Sequence, residues 1–236
     1  LQGRLDLSEF DGLFDEMNNI EEKQVVDLPA EFISLCNKHL PLSSQTPLDY
    51  LRGRGLSKNE ILKWKIGYCR KGKYAGRIII PSFNDDGDCN YFIARSYVGH
   101  GRRYLNPPCG RDIVFNELNI DWDEPVIIVE GVFDAIVAGD NAIPILGSTL
   151  REDSELFQAI AIHDTPVYIA LDPDAEKKAH WIIRSLMKYD LEIKKLNIGS
   201  YEDIGSMSPE IFQERLEKAE NICGDMYFLE KQLRNL

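Results

Sequence analysis

The sequence predicts a mixed fold, of the α+β class up to residue 123 and of the α/β class after it. Three observations predict this division. Residues 76–97 carry a β-hairpin pattern, strand and helix patterns alternate from Pro125 onward, and the two parts differ in charge. We expect a lead-in at 1–41, a small basic subdomain at 42–123, a domain of four parallel strands at 124–206 and a C-terminal helical segment at 207–236.

The charge difference suggests what each part binds. Leu42–Arg111 contains 13 Lys and Arg against 5 Asp and Glu, whereas the rest of the chain contains 14 against 34. The net charge of −12 would alone argue against a nucleic-acid partner. A basic segment joined to an acidic one suits a protein that holds phosphates with one face and metal ions with the other. Uneven surface charge without a function is the alternative.

The lead-in is acidic, with apolar residues near helical spacing at Leu5–Met17 and again at Phe32–Leu35. This pattern predicts a peripheral helix or an extended segment that docks on the body. A linker left from a missing upstream domain is an equal alternative, since the chain begins with Leu1 rather than Met.

Thr46–Tyr68 predicts two short helices, and the second should begin at Ser57, which forms a capping box with Glu60. Arg52 and Arg54 are predicted to face solvent. Gly76–Tyr97 then predicts an antiparallel hairpin. Its strands are Arg77–Pro81 and Asn90–Arg95, and an Asp-Gly pair supplies the turn between them.

From Pro125 the pattern is that of a parallel sheet with crossover helices. Strands are predicted at Val126–Val129, Ala142–Leu146, Val167–Leu171 and Glu192–Leu196. Helices are predicted at Phe133–Gly139, Asp153–His163, Ala175–Tyr189 and Pro209–Cys223. The first strand is a run of β-branched residues with no polar member, so we expect it to be buried on both faces.

Carboxylates follow two of these strands. Glu130 stands directly after the first strand, and Asp172 and Asp174 stand directly after the third. The carboxyl ends of parallel strands meet at one edge of a sheet, where open α/β sheets bind ligands. Bare carboxylates packed so closely repel one another, so the pattern predicts a divalent cation among them. Solvated acids in ordinary loops are the alternative.

This arrangement resembles the TOPRIM domain, a Rossmann-like metal-binding fold of topoisomerases, bacterial-type primases and some nucleases. The resemblance rests on Glu130-Gly131-x-x-Asp134 and on Asp172-Pro173-Asp174. The family often has Gly two residues after the second Asp of that motif, where this chain has Glu176. That departure affects the turn into the next helix and leaves the carboxylates in place.

A second resemblance, to the RNA-polymerase core of bacterial and phage primases, spans roughly residues 47–206. It rests on motifs in the family's order: Tyr50-Leu51-x-x-Arg54-Gly55-Leu56, Ile66-Gly67-Tyr68, Gly76–Pro81, Ala94-Arg95, Arg103-Tyr104-Leu105-Asn106, Glu130–Ala135 and Gly147–Leu150. The chain departs from the family at Gly110–Phe115, where a Phe-x-Lys-Gly segment is usual. The N-terminal zinc ribbon and the C-terminal helicase-binding bundle of the family are not expected here.

The resemblance implies nucleotidyl transfer with Mg²⁺ or Mn²⁺, because such ions offset the charge of the reacting phosphates. Glu130, Asp172 and Asp174 are the predicted catalytic and metal-binding residues, with Glu130 as ligand or as acceptor of the hydroxyl proton. Asp134 and Asp203 are predicted as further metal ligands. Asp134 has the alternative of a plain acid at a helix N-terminus. For Asp203 the alternatives are Glu202 in its place or a solvated loop.

The nucleic-acid and nucleotide contacts are predicted among basic, aromatic and polar residues of the first part, with solvated surface as the alternative for each. They are Arg77, Arg95, Arg102, Arg103, Tyr104 and Asn106. Arginine suits phosphate because its planar fork pairs two oxygens at once. Tyrosine suits the bases of a single strand because every base can stack on its ring.

The expected function is therefore that of a primase core that makes short RNA primers. The expected partners are a single-stranded DNA template and ribonucleoside triphosphates, with a replicative helicase contacted through regions outside this chain. A metal-dependent TOPRIM nuclease or strand-transfer enzyme and a non-catalytic replication module are the alternatives. Five scattered cysteines without a Cys-x-x-Cys pair predict no zinc site and a reducing, cytoplasmic setting. With no apolar run of membrane-spanning length, we expect no membrane partner.

Overall fold

The computed structural model of the protein describes residues 23–99, 101–147 and 150–222. They form an antiparallel sheet of four strands and a mostly parallel sheet of five. The predicted mixture of α+β and α/β structure is confirmed. The apolar stretch Leu5–Met17 lies outside these residues, as do Ser148, Thr149 and the end of the predicted C-terminal segment.

The antiparallel sheet has the order β1-β2-β3-β4. Its strands are β1 (Phe32–Ser34), β2 (Gly67–Cys69), β3 (Arg77–Phe83) and β4 (Cys89–Ser96). The predicted hairpin is confirmed as β3 and β4, and both strands are longer than expected. Gly87, with φ of +87°, adopts the left-handed backbone that the turn requires.

Two strands of this sheet were not predicted. The helical alternative for Phe32–Leu35 is wrong, because Phe32–Ser34 pairs with β2 and places Ile33 opposite Tyr68. Gly67–Cys69, expected to end a helical unit, is instead an inner strand between β1 and β3. These strands have three residues each, too few to show an alternating pattern in the sequence.

Two short helices, α1 (Gln45–Gly53) and α2 (Lys58–Lys63), follow β1 and precede β2 along the chain. Both were predicted, and the capping box that begins α2 is confirmed. The hydroxyl of Ser57 accepts a hydrogen bond from the backbone N–H of Glu60, whose carboxylate accepts one from the N–H of Ser57.

The second sheet has the order β6-β5-β7-β8-β9. The four predicted parallel strands are confirmed as β5 (Val126–Val129), β6 (Ala142–Pro144), β7 (Val167–Ile169) and β8 (Ile193–Lys195). The fifth strand, β9 (Glu220–Asn221), runs antiparallel along the edge beside β8. It was not predicted, and it lies where the C-terminal helix was expected to continue.

Four helices cover the parallel sheet: α3 (Val132–Ala138), α4 (Glu155–His163), α5 (Glu176–Leu186) and α6 (Pro209–Glu217). Each lies within a predicted helix or begins one residue before it, but α6 ends six residues before Cys223 because β9 follows. In the part of the chain that the structure covers, no helix combines the length and the apolar character needed to cross a membrane.

The strand β5 is buried on both faces, as predicted. Its residues Ile127 and Val129 pack in one core with α3, α6 and the antiparallel sheet. Val126 and Ile128 pack in a second core with α4 and α5. Because the first core includes residues of both sheets, it fixes one sheet against the other, and a cleft between them has walls of defined position.

Candidate metal and nucleic-acid site

Three carboxylates converge at the edge of the parallel sheet. Glu130 follows β5, and Asp172 and Asp174 follow β7, the strand that pairs with β5 in parallel. One oxygen from each of the three lies within 4.8 Å of the oxygens from the other two. The structure therefore brings together the three residues predicted to be catalytic, through the strand pairing from which the prediction was made.

The electrostatics of this cluster fit a divalent cation. Oε1 of Glu130 and Oδ1 of Asp172 are buried and have no hydrogen-bond partner among the described residues. Burial raises the pKa of Asp172 to about 7, and the nearby charges of Asp134 and Glu130 add to this effect. Carboxylate oxygens without donors are what a hard cation such as Mg²⁺ or Mn²⁺ takes as ligands.

Asp134 and Asp203, the two further predicted ligands, lie beside the cluster. Both oxygens of Asp134 accept backbone hydrogen bonds, from Gly131 N–H at 2.9 Å and from Gly205 N–H at 2.9 Å. Burial raises the pKa of Asp134, whereas these hydrogen bonds lower it. Asp134 thus starts α3 and ties it to the loop after β8. Each oxygen keeps a further lone pair, so its role as a ligand stays a prediction.

The loop that Asp134 holds carries Asp203. Asp203 lines the same cleft as Glu130 and Asp172, whereas the neighbouring Glu202 is exposed to solvent. Of the residues considered at this point of the chain, Asp203 is therefore the one placed to contribute charge to the site. Its contribution to metal binding stays a prediction.

Four of these acids, namely Glu130, Asp134, Asp172 and Asp203, form one wall of a cleft of about 500 Å³ between the two sheets. The other wall is basic, aromatic and polar, and it comes mainly from the first part of the chain. It consists of Arg54, Arg103, Tyr104, Asn106 and Arg111. A cleft with this pairing can hold a phosphate chain between cationic side chains and acid-bound metal ions.

The predicted nucleic-acid residues occupy three kinds of position: in the cleft, exposed beside it, or buried behind it. Arg103, Tyr104 and Asn106 line the cleft. Arg102 is exposed beside it. Arg77 is buried, and its guanidinium donates hydrogen bonds to the backbone carbonyls of Ala94, Arg102 and Arg103. Arg77 therefore supports the basic segment from behind, and the structure does not place it where it would touch a ligand.

Arg95 is 9% exposed and packs beneath the basic wall. Its Nε donates to the hydroxyl of Tyr50 at 3.1 Å, and its guanidinium lies 4.8 Å from the ring centroid of Tyr104. Its Nη1 is buried without a hydrogen-bond partner among the described residues. Arg95 does not line the cleft, so its contact with nucleic acid or nucleotide stays a prediction.

The site prediction missed Arg54 and Arg111. Arg54 was expected to face solvent, but its guanidinium lies 4.4 Å from the ring centroid of Phe133 and its Nε donates to Tyr50. The signal was present, because Arg54 belongs to one of the motifs shared with primases. Arg111 donates to the backbone carbonyl of Leu146 at 3.3 Å and reaches the cleft from the segment that departs from the family pattern.

Comparisons with known proteins place this fold. No model of a known protein family matches the sequence. The chain is 23% identical over 199 residues to the DNA primase of Thermotoga maritima, an alignment that covers 76% of this chain and 34% of that protein. The chain thus spans about a third of the length of the curated relative it matches.

Solved structures of primases are similar as well. A DnaG primase catalytic domain bound to ssDNA has 20% identity and a TM-score of 0.64, over 77% of this chain and 74% of that one. The E. coli primase catalytic core has 17% identity and a TM-score of 0.67, over 83% of this chain and 79% of that one. The chain therefore has the fold of a primase catalytic core, and the predicted resemblance is confirmed at this level.

Proposed function

We propose that this chain is the catalytic core of a DNA primase, which joins ribonucleotides into short primers on a single-stranded DNA template. One observation carries the proposal: Glu130 and Asp172, two of the three clustered carboxylates, face a basic and aromatic wall across a single cleft. The similarity of the whole chain to primases and primase catalytic domains supports the same activity.

The acidic wall would act on the reacting phosphate. Glu130, Asp172 and Asp174 are the residues that would hold Mg²⁺ or Mn²⁺, which supplies positive charge against the phosphate oxygens when bound. Glu130, which follows the inner strand β5, would serve as a metal ligand or accept the proton of the attacking 3′-hydroxyl. Asp134 holds the loop after β8 in place, which keeps Asp203 at the edge of the cluster.

The opposite wall would hold the nucleic acid and the incoming nucleotide. The guanidinium groups of Arg54 and Arg103, which line the cleft, offer charge-assisted hydrogen bonds to phosphate oxygens. The ring of Tyr104 is 42% exposed at the cleft, with the guanidinium of Arg95 4.8 Å and that of Arg103 5.9 Å from its centroid, and it would stack against a base of the template. Asn106 has its side-chain oxygen occupied by the N–H of Ala94, which leaves its amide nitrogen as a donor.

The two parts of the chain would have different roles. We assign nucleic-acid binding to the basic subdomain at 42–123 and catalysis to the TOPRIM domain at 124–206, with 1–41 and 207–236 as flanking segments. The protein would work in the cytoplasm on single-stranded DNA and ribonucleoside triphosphates. A replicative helicase would be contacted through regions outside this chain.

A priming assay with a matched pair of variants tests the proposal. The chain is incubated with single-stranded DNA, labelled ribonucleotides and Mg²⁺ or Mn²⁺. Asp172→Asn should abolish primer synthesis, because the neutral amide holds a divalent cation poorly. Asp190→Asn is the control, since Asp190 is exposed and its left-handed backbone accepts Asn equally well. Synthesis that survives in Asp172→Asn would refute the proposal, and metal-dependent nicking without synthesis would favour a nuclease.

A further inference from the structure

A lysine from the far side of the parallel sheet points into the acidic cluster. Lys178 lies in α5, and its Nζ is 3.7 Å from Oε1 of Glu130. Both side chains are only about a quarter exposed, at 25% and 24%. The oxygen it faces is the same one that is buried without a hydrogen-bond partner. The two groups are therefore an ion pair at a distance longer than a hydrogen bond.

Helix stability does not explain a cation at this place. α5 begins at Glu176, so Lys178 stands in its first turn, where the helix dipole disfavours positive charge. Its neighbour Lys177 points to solvent. The distinguishing feature of Lys178 is what it faces, namely a group of three carboxylates whose oxygens lie within 4.8 Å of one another. An ammonium there offsets part of the repulsion within the cluster.

We propose that Lys178 is a built-in competitor for the metal ion, which neutralises Glu130 and must be displaced before a cation can use that carboxylate. This inference rests on the proposed function, since it assumes that Glu130, Asp172 and Asp174 hold a divalent cation. A cation bound to Glu130 would lie about 2.1 Å from its oxygen. An ammonium that stays 3.7 Å from the same oxygen is then at most about 6 Å from the ion.

The ammonium of Lys178 and a cation bound to Glu130 would repel each other strongly, because both are positive and the site is half-buried. Cation binding would therefore expel the ammonium, and the ammonium would weaken cation binding. Lys178 therefore sets the cation concentration at which the cluster fills. It also keeps the three carboxylates compatible with folding at low cation concentration. It is a positioning residue that acts through Glu130.

Manganese titration of a matched lysine pair tests the inference. Mn²⁺ binding to the whole chain is measured by calorimetry at pH 8 in the wild type and in Lys178→Gln, Lys177→Gln and Lys178→Arg. Lys178→Gln should bind Mn²⁺ about tenfold more tightly, as removal of a nearby positive charge predicts. Lys177→Gln removes the same charge from the same helical turn and should change the affinity less than about twofold. Lys178→Arg should stay near the wild type.

Thermal unfolding gives a second readout that requires no catalysis. In the presence of a chelator, Lys178→Gln should melt below Lys177→Gln, and saturating Mn²⁺ should remove the difference. If the wild type binds Mn²⁺ and the two Gln variants match each other in affinity and melting, the inference is wrong while the proposed function stands. Weaker binding in Lys178→Gln would also overturn it. If the wild type binds no Mn²⁺, the proposed function fails and the inference falls with it.

Discussion

Replacing Asp172 by Asn should make the protein more stable in the presence of a chelator, even though it should abolish activity. Asp172 is half-buried among carboxylates, and its pKa is raised from 3.8 to about 7. In the folded protein this group therefore holds its proton to a higher pH than in the unfolded chain. The free energy of unfolding falls as the pH rises from about 4 to about 7, and the loss is complete above that range.

The size of this loss follows from the two pKa values. The difference between 3.8 and about 7 corresponds to roughly 4 kcal/mol, at about 1.36 kcal/mol per tenfold change in proton affinity. Water reaches part of the side chain and screens the neighbouring charges, so we take about half, or roughly 2 kcal/mol. Asparagine has no charge to desolvate, so Asp172→Asn should recover this amount at pH 8 and almost nothing at pH 4. For a chain of this size, that is a rise in melting temperature of about 4–8 °C.

The measurement is urea or thermal denaturation of wild type and Asp172→Asn at several values of pH between 4 and 8, with a chelator present. Asp190→Asn again serves as the control and should show no such pH dependence, because its side chain is exposed. Adding Mn²⁺ should raise the stability of the wild type and leave Asp172→Asn nearly unchanged. If Asp172→Asn is less stable than the wild type at pH 8, or if its advantage does not grow with pH, the argument from burial and charge repulsion at Asp172 is refuted.

Two further predictions concern the basic wall and the shared core. Arg103→Ala should weaken single-stranded DNA binding and lower the slope of log affinity against log salt concentration by about one, measured by fluorescence anisotropy. Arg102→Ala, outside the cleft, should change this slope less. Equal effects of the two variants would contradict the assignment of Arg103 to the cleft. Phe212→Ala, at a fully buried side chain, should cost about 3–5 kcal/mol in urea denaturation. Ile162→Ala, 79% exposed, should cost less than about 0.5 kcal/mol, and similar values for the two would refute the packing argument.

Local patterns predicted those parts of the fold that depend on local physics. The run Val126–Val129 was correctly predicted to be a buried strand, because four apolar β-branched residues in a short run favour a strand covered on both faces. The capping box at Ser57 likewise depends on residues three apart. By contrast, β2 depends on partners far along the chain, with Tyr68 opposite Ile33 and Ile78. Three residues without alternation give no sign of such pairing.

The site shows the same limit. Glu130 and Asp172 follow two parallel strands that are direct neighbours in the sheet. The assumption that these strands are parallel and adjacent was enough to predict that the two carboxylates converge. The position of Arg54 depends on contact with Phe133, a residue of the other part of the chain, and no local pattern shows that contact. For Arg77, the sequence cannot distinguish an arginine that binds phosphate from one that is buried against backbone carbonyls. Both kinds occur at the end of a strand.

The opposed charges of the cleft would also let an acidic protein bind nucleic acid, as the proposed function requires. A net charge of −12 repels a phosphate chain at a distance, but at physiological salt charges are screened beyond about 8 Å. Whether a phosphate chain is attracted therefore depends on the charges inside the cleft. The basic wall attracts the phosphates directly, whereas the acidic wall repels them until bound cations neutralise its carboxylates. Template and nucleotide should then be held together only after the cluster has taken up metal ions. In this arrangement the charge of Lys178 would affect substrate binding as well as metal affinity. The cation concentration that displaces Lys178 from Glu130 would also be the concentration at which the acidic wall stops repelling the substrate.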